Sequence, residues 1–353
     1  MQTGLSLIFQ NHDDGLSDRE VYRKELALAD LAEPLGFDSV WTTEHHFTSY
    51  MLCPDPLQFL SWMAARTEKI RLGTMVVVLP WHDPVRVAEQ VSMLDHMSGG
   101  RLIFGMGRGA GAVEFDGFRI PMEETRDRFI ESAAMVLRGL ETGMLEGEGP
   151  HHRQPPMPLR PKPLQSFHGR VYGAALSPES STIMAELGLG IMVIPQKPWE
   201  TVAAELDVHR RHYEKVHGEE PVRPITSAWI YCDRDGARAE QVARRHIGAY
   251  YESTINHYKF DGSHFARTRG YEYYDKISRS LNNSSHSTAA QNFVDLQVWG
   301  TPEQCIEKIM GIKEITGCDG FNGVFRYAGL DYGAAEDSLR LFAEEVLPEI
   351  RKY

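Results

Sequence analysis

Eight short apolar runs, separated by amphipathic helical stretches, constrain this chain more than any other feature. The runs are Leu5–Gln10, Phe37–Thr43, Ile70–Leu79, Arg101–Met106, Arg170–Ala175, Gly190–Ile194, Pro224–Cys232 and Gly320–Phe325. Helical patterns lie between them, for example Asp18–Glu33, Pro84–Met97 and Gly236–Tyr258, and a closing helix is expected from about Ala334 to Ile350. Strands rich in Val, Ile and Leu that alternate with helices form parallel sheets covered on both faces. An open doubly wound sheet and a closed barrel share this local pattern. The length of 353 residues and the lack of a dividing linker favour one α/β domain over 1–353, a (β/α)8 TIM barrel with insertions. Two stretches break the rhythm. Glu146–His168, rich in Pro, Gly and His, reads as an irregular surface crossing; Asp261–Gln297, polar and aromatic, reads as a mobile lid.

Charge and cysteine usage narrow the function. A formal net charge of −12 argues against nucleic acid or an anionic membrane as the principal partner, yet leaves room for a small phosphate ligand. No apolar run approaches the roughly 20 residues that cross a bilayer. The start MQTGLSLIFQNHDDG lacks a cationic leader pattern. Cys53, Cys232, Cys305 and Cys318 are scattered without a CxxC pair, which removes support for a zinc ribbon or a disulfide scaffold. The expectation is a cytoplasmic protein with reduced thiols and no metal.

In a barrel, chemistry gathers at the C-terminal ends of the strands. The fifth run ends in Ala175-Leu176-Ser177-Pro178-Glu179-Ser180-Ser181. Ser177 suits a helix N-cap and Pro178 the first helical position, so the helix start offers N–H donors and hydroxyls to a phosphate. Arg108, on a glycine-flanked turn after the fourth run, adds a cation. Gly105–Ala110 also fits GxGxxA, but no helical face is evident before about Met122, which argues against a nicotinamide site. Glu44-His45-His46 closes the second run. Adjacent strand residues point to opposite faces, so the two imidazoles should not share an ion, and His45 is the acid/base candidate. His209 and His212, among Arg and Lys, read as a solvated helix face. The residues alone thus give a barrel enzyme with a phosphorylated ligand between strands four and five and a histidine beside it.

The run Gly36-Phe37-Asp38-Ser39-Val40-Trp41, followed by Glu44-His45-His46-Phe47-Thr48, resembles the bacterial luciferase family of flavin-dependent monooxygenases. So do Leu79-Pro80, His82-Asp83-Pro84, Gly100-Arg101, Phe104-Gly105, Arg108-Gly109 and Arg126, and later Val171-Tyr172, Gly270-Tyr271 and Gly300-Thr301-Pro302-Glu303. The resemblance spans nearly the whole chain and is strongest toward the luciferase alpha subunit.

This resemblance implies a (β/α)8 barrel that binds reduced FMN. It assigns the phosphate to Arg108, Arg126, Ser177, Ser180 and the Leu176 backbone, and a non-prolyl cis peptide under the flavin to Met75–Val76. It also implies a two-component monooxygenase in which a flavin reductase supplies FMNH2, and O2 yields a C4a-peroxyflavin that oxidises an aldehyde, ketone or natural-product intermediate. His45 matches the catalytic histidine, with Glu44 orienting the strand end and 261–297 closing over the site. A homodimer paired through the helices after strands two and three is expected. Gly107 and Pro195 replace a cysteine and a tryptophan of the luciferase alpha subunit, which points away from a long-chain aldehyde. Two alternatives remain: an F420-dependent oxidoreductase on the same barrel, and a non-catalytic flavin-binding partner subunit.

Overall fold

A computed structural model describes residues 1–175, 177–260, 264–283 and 286–353, without the side chains of residues 277, 280–283, 286 and 287. Eight parallel strands close on themselves: β1 (Gln2–Leu7), β2 (Ser39–Thr42), β3 (Arg71–Thr74), β4 (Leu102–Gly107), β5 (Val171–Ala174), β6 (Gly190–Val193), β7 (Ile225–Cys232) and β8 (Gly320–Val324). Neighbours pair in chain order; β8 pairs β1 and β6 pairs β7, so the sheet has the topology of a (β/α)8 barrel. Val77–Val78 adds a short pairing to the end of β4.

Several of the covering helices start where the sequence supplies an oxygen cap. The helices are α1 (Asp18–Ala29), α2 (Pro56–Arg66), α3 (Pro84–Met97), α4 (Ala112–Phe118), α5 (Thr125–Thr142), α6 (Pro178–Glu186), α7 (Trp199–His217) and α8 (Gly236–Tyr258). After them come α9 (Glu272–Asn283), α10 (His286–Asp295), α11 (Pro302–Thr316) and α12 (Tyr332–Leu341). Asp55, Asp83, Ser177 and Thr301 each cap a helix whose first residue is proline, which pairs a fixed φ with an N–H that needs no partner.

Small residues shape the barrel interior. Trp41 is 1% exposed and lies across the centre, its Nε1 donating to Ser39 Oγ at 2.7 Å. A Cβ on Gly73 would lie 2.1 Å from the Trp41 ring, and one on Gly4 would lie 2.6 Å from Trp41 Nε1. These glycines let one indole plug the barrel, giving the C-terminal mouth a solid floor.

The stretch 261–297 carries α9 and α10, with residues 261–263 and 284–285 outside the described residues. Three readings of the sequence are corrected. The 146–168 crossing is partly ordered, because Met144–Glu148 and Arg153–Pro158 pair as an antiparallel hairpin. His209 is 3% exposed, and its Nε2 bonds the Leu189 carbonyl at 2.9 Å; the charged neighbours on α7 hid one inward-facing position. Gly111 opens directly into α4, so a missing helix cannot argue against a dinucleotide turn. The closed barrel and an acid in the first turn of α4 are the stronger arguments.

Candidate active site

At the C-terminal mouth one cavity joins a cationic end to a histidine end. It is lined by Arg108, Arg126 and Ser180 on one side, by Met75, Val76 and Gly107 below, and by Glu44, His45 and Glu114 opposite. The Met75–Val76 peptide is cis, as the resemblance implied. Gly107 faces it closely: an added Cβ would sit 2.5 Å from Val76 Cγ2. The strip between the two ends is therefore low.

β2 and the turn after it split the two imidazoles as strand geometry requires. His45 Nδ1 bonds Glu114 Oε1 at 2.9 Å, and the same oxygen accepts from the His46 backbone N–H at 2.9 Å. With its Nδ1–H donated to the carboxylate, His45 keeps Nε2 as the exchangeable nitrogen. That Nε2 lies 3.5 Å from Tyr258 Oη. His257 stands edge-on to His45 at 5.0 Å, its Nε2 3.6 Å from Glu114 Oε1. Burial pushes the Glu114 carboxyl up, but the two imidazoles more than offset this and hold it at about 2. Glu114 is thus a fixed negative charge behind His45.

Glu44 sits on the other face of the same segment. Its Oε1 meets His82 Nε2 at 2.7 Å and His46 Nε2 at 3.0 Å, while Oε2 accepts from the Val78 N–H at 2.8 Å. Burial works against this carboxylate, yet its histidine and backbone partners lower it below the usual range. Burial lowers His82 as well, and Glu44 outweighs that to raise it. Its hydrogen bonds thus tie the segment after β2 to Val78 and His82.

At the cationic end, Ser177 Oγ accepts from the Ser180 N–H at 3.2 Å, capping α6 as its sequence indicates. Ser177 does not line the cavity itself. Arg108 donates to the Gly270 carbonyl at 2.8 Å, and its guanidinium lies 4.2 Å from the Tyr271 ring centroid. Arg126 pairs with Glu179 at 2.6 Å and reaches Gly270 O at 3.3 Å, while its Nε is buried without an acceptor among the described residues. Leu176 lies outside the described residues. The structure thus gathers Arg108, Arg126, Ser177 and Ser180 around one corner, with a backbone carbonyl drawn into it.

Glu114, His257 and Tyr258 were missed in the sequence. Glu114 lay in a stretch read as non-helical, and His257 and Tyr258 end α8, far from any strand end. Ligand atoms of His45, Glu114 and His257 lie within 4.8 Å of one another, a set able to hold a divalent ion. Two N–H groups engage Glu114 Oε1, while Glu114 Oε2 and His257 Nε2 are buried without a hydrogen-bond partner among the described residues.

Comparison with known proteins finds relatives along nearly the whole chain. The family model described as luciferase-like monooxygenase matches residues 1–319. The alkanal monooxygenase alpha chain of Photorhabdus luminescens is 27% identical over 348 residues, covering 95% of this chain and 94% of the relative. The monooxygenase RslO1 from Streptomyces bottropensis superposes with a TM-score of 0.82 at 28% identity, covering 99% of both chains. The oxygenating constituent of 3,6-diketocamphane monooxygenase from Pseudomonas putida, solved with FMN, gives a TM-score of 0.75 at 21% identity over 99% of both chains.

Proposed function

Because this chain belongs to the luciferase-like monooxygenase family and is an oxidoreductase, we propose that it is the oxygenase of a two-component system that uses reduced FMN and O2. The observation that carries this reading is the single cavity linking two arginines and a capped helix start to the His45–Glu114 pair across a glycine-lowered strip. The donors present fit a flavin mononucleotide: two guanidiniums, the Ser180 hydroxyl and the start of α6 suit a phosphate, and Met75, Val76 and Gly107 leave room for a flat ring.

Bound reduced FMN supplies two electrons for O2, so that one oxygen atom enters the substrate and the other leaves as water. The rest is the work of the chain. Arg108, Arg126, Ser180 and the start of α6 that Ser177 caps would hold the phosphate, together with the Leu176 backbone. His45 Nε2 exchanges a proton with the reacting groups while Glu114, bonded to Nδ1, fixes its ring. Glu44 keeps the two strand ends in register beneath it. The aromatic residues around 258–274 cover the mouth and exclude water.

A separate flavin reductase, a small-molecule substrate and the cytoplasm complete the setting. A homodimer through α2 and α3 is favoured by Trp62, Met93 and Met97, which are 52%, 49% and 53% exposed. Among the described residues no helix is long and apolar enough to cross a membrane.

Rapid mixing tests the reading. Protein loaded anaerobically with reduced FMN and then given O2 should oxidise the flavin with kinetics distinct from those of free flavin, and should turn over substrate as a lone protein species. Unaltered flavin oxidation overturns the proposal. Tighter binding of reduced F420 than of reduced FMN would move the assignment to hydride transfer, and activity that appears only with a second homologous chain would make this a partner subunit.

A further inference from the structure

Beyond His45 the cavity does not stop at a simple apolar end. It continues into a chamber walled by Tyr50, Trp229, Tyr250 and Phe293, with Met51 and Val324 closing the gaps. The rings are ordered against one another: Trp229 and Tyr250 centroids are 4.3 Å apart, Trp229 and Phe293 5.5 Å, and Tyr250 lies nearly parallel to Phe293 at 25°. A flexible alkyl chain gains only its area from such walls, whereas a planar ring also gains the offset and edge-to-face contacts that aromatic faces favour.

The polar atoms of the chamber point the same way. Tyr50 Oη meets Tyr250 Oη at 2.8 Å and Thr254 Oγ1 at 3.2 Å, and Thr254 Oγ1 donates to the Tyr250 carbonyl at 3.1 Å. Each of these hydroxyls can donate within this circuit, so it closes on itself. Trp229 is different. It is 5% exposed, and its Nε1–H is buried with no acceptor among the described residues. An indole N–H usually finds a partner when buried, and leaving it unpaired carries a cost that an incoming acceptor removes.

We infer that the organic substrate is a planar aromatic carbonyl compound, its ring system against Trp229, Tyr250 and Phe293 and its carbonyl oxygen accepting from Trp229 Nε1. This rests on the flavin-site reading above, because the chamber opens onto the same cavity as His45. It separates this protein from an enzyme for straight-chain aldehydes, in line with the changes at Gly107 and Pro195.

The test is binding, measured by calorimetry under nitrogen on FMN-saturated protein, with no turnover required. The probes are acetylnaphthalene, naphthalene and decanal, and the variants are wild type and Trp229→Phe, which keeps a ring and removes the N–H. Acetylnaphthalene should bind wild type at least about tenfold tighter than decanal, since aromatic contacts and one new hydrogen bond add to area burial. Trp229→Phe should weaken acetylnaphthalene about five- to tenfold and leave naphthalene within about twofold. Decanal binding as tightly as acetylnaphthalene overturns the inference, and so does a Trp229→Phe loss that is equal for all three probes. FMN titration of the same samples keeps the two readings apart. Normal flavin binding with a preference for decanal sinks only the substrate class, whereas absent flavin binding sinks the function and the inference together.

Discussion

At the residue scale, the proposed proton exchange at His45 depends on Glu114, whose Oε1 lies 2.9 Å from His45 Nδ1. Replacing Glu114 by Gln keeps the shape and one acceptor but removes the charge. Product formation should fall by roughly 10- to 100-fold, the usual cost of losing an orienting carboxylate, while FMN affinity stays within about twofold. Turnover assays and flavin fluorescence titration read the two quantities separately, and a parallel loss of both would make Glu114 a flavin ligand. Dialysis against EDTA should leave turnover unchanged, because the proposed reaction uses Glu114 Oε1 to accept from His45 and His46 and needs no ion. Glu114 also bears on stability. Its carboxyl is held at about 2 against an ordinary 4.5, so its contribution is present above pH 4.5 and is lost as pH falls toward 2. The size of this term is about 3 kcal/mol. His82 runs the other way. Raised by Glu44, it stabilises fully below its unfolded value of about 6.5, and that contribution disappears as pH rises through its folded value. The stability gap between wild type and His82→Ala should therefore narrow on raising the pH, as denaturant titrations at several pH values can record.

Among elements, the start of α6 was fully legible, and Ser177-Pro178 shows why. A cap is a local bargain between one side chain and one N–H, so sequence alone specifies it. Ser177→Ala should cost about 1 kcal/mol of stability and loosen FMN, whereas Ser180→Ala should loosen FMN with little effect on unfolding. Chemical denaturation beside flavin titration distinguishes the two. The strands were legible for a similar reason, since runs such as Pro224–Cys232 are apolar on both faces and predict β7 almost to its ends. What escaped reading depends on distant partners. The helix α4 is only seven residues long and contains Gly117, leaving too little periodicity to detect, yet it delivers Glu114 to His45 from 69 positions away. Likewise His209 looks solvated by its neighbours, and only the approach of Leu189 O shows otherwise. The hairpin in 146–168 contains the proline-rich strand Arg153–Pro158, which no hydrophobic alternation marks.

For the whole molecule, the proposed reading places its parts in a fixed order around one mouth: the segment after β2 supplies the histidine, the ends of β4 and β5 the phosphate corner, and the connection after β7 the cover. Trp41, admitted by Gly4 and Gly73, fills the barrel interior beside Met75. The apolar surface of α2 and α3 belongs to this scale too. Met97→Glu should shift a dimer toward monomer in sedimentation experiments and leave FMN binding intact, and an unchanged mass would place the contact elsewhere. The central claim is that Arg108 and its neighbours hold the phosphate of a flavin mononucleotide, and comparing affinities for FMN and riboflavin in wild type and Arg108→Gln tests it most directly. Charge-assisted hydrogen bonds to the phosphate are worth about 1.5–3 kcal/mol each, so wild type should prefer FMN by at least about tenfold and the variant should lose that preference. Equal affinity of wild type for the two flavins, or an undiminished preference in Arg108→Gln, would contradict the account.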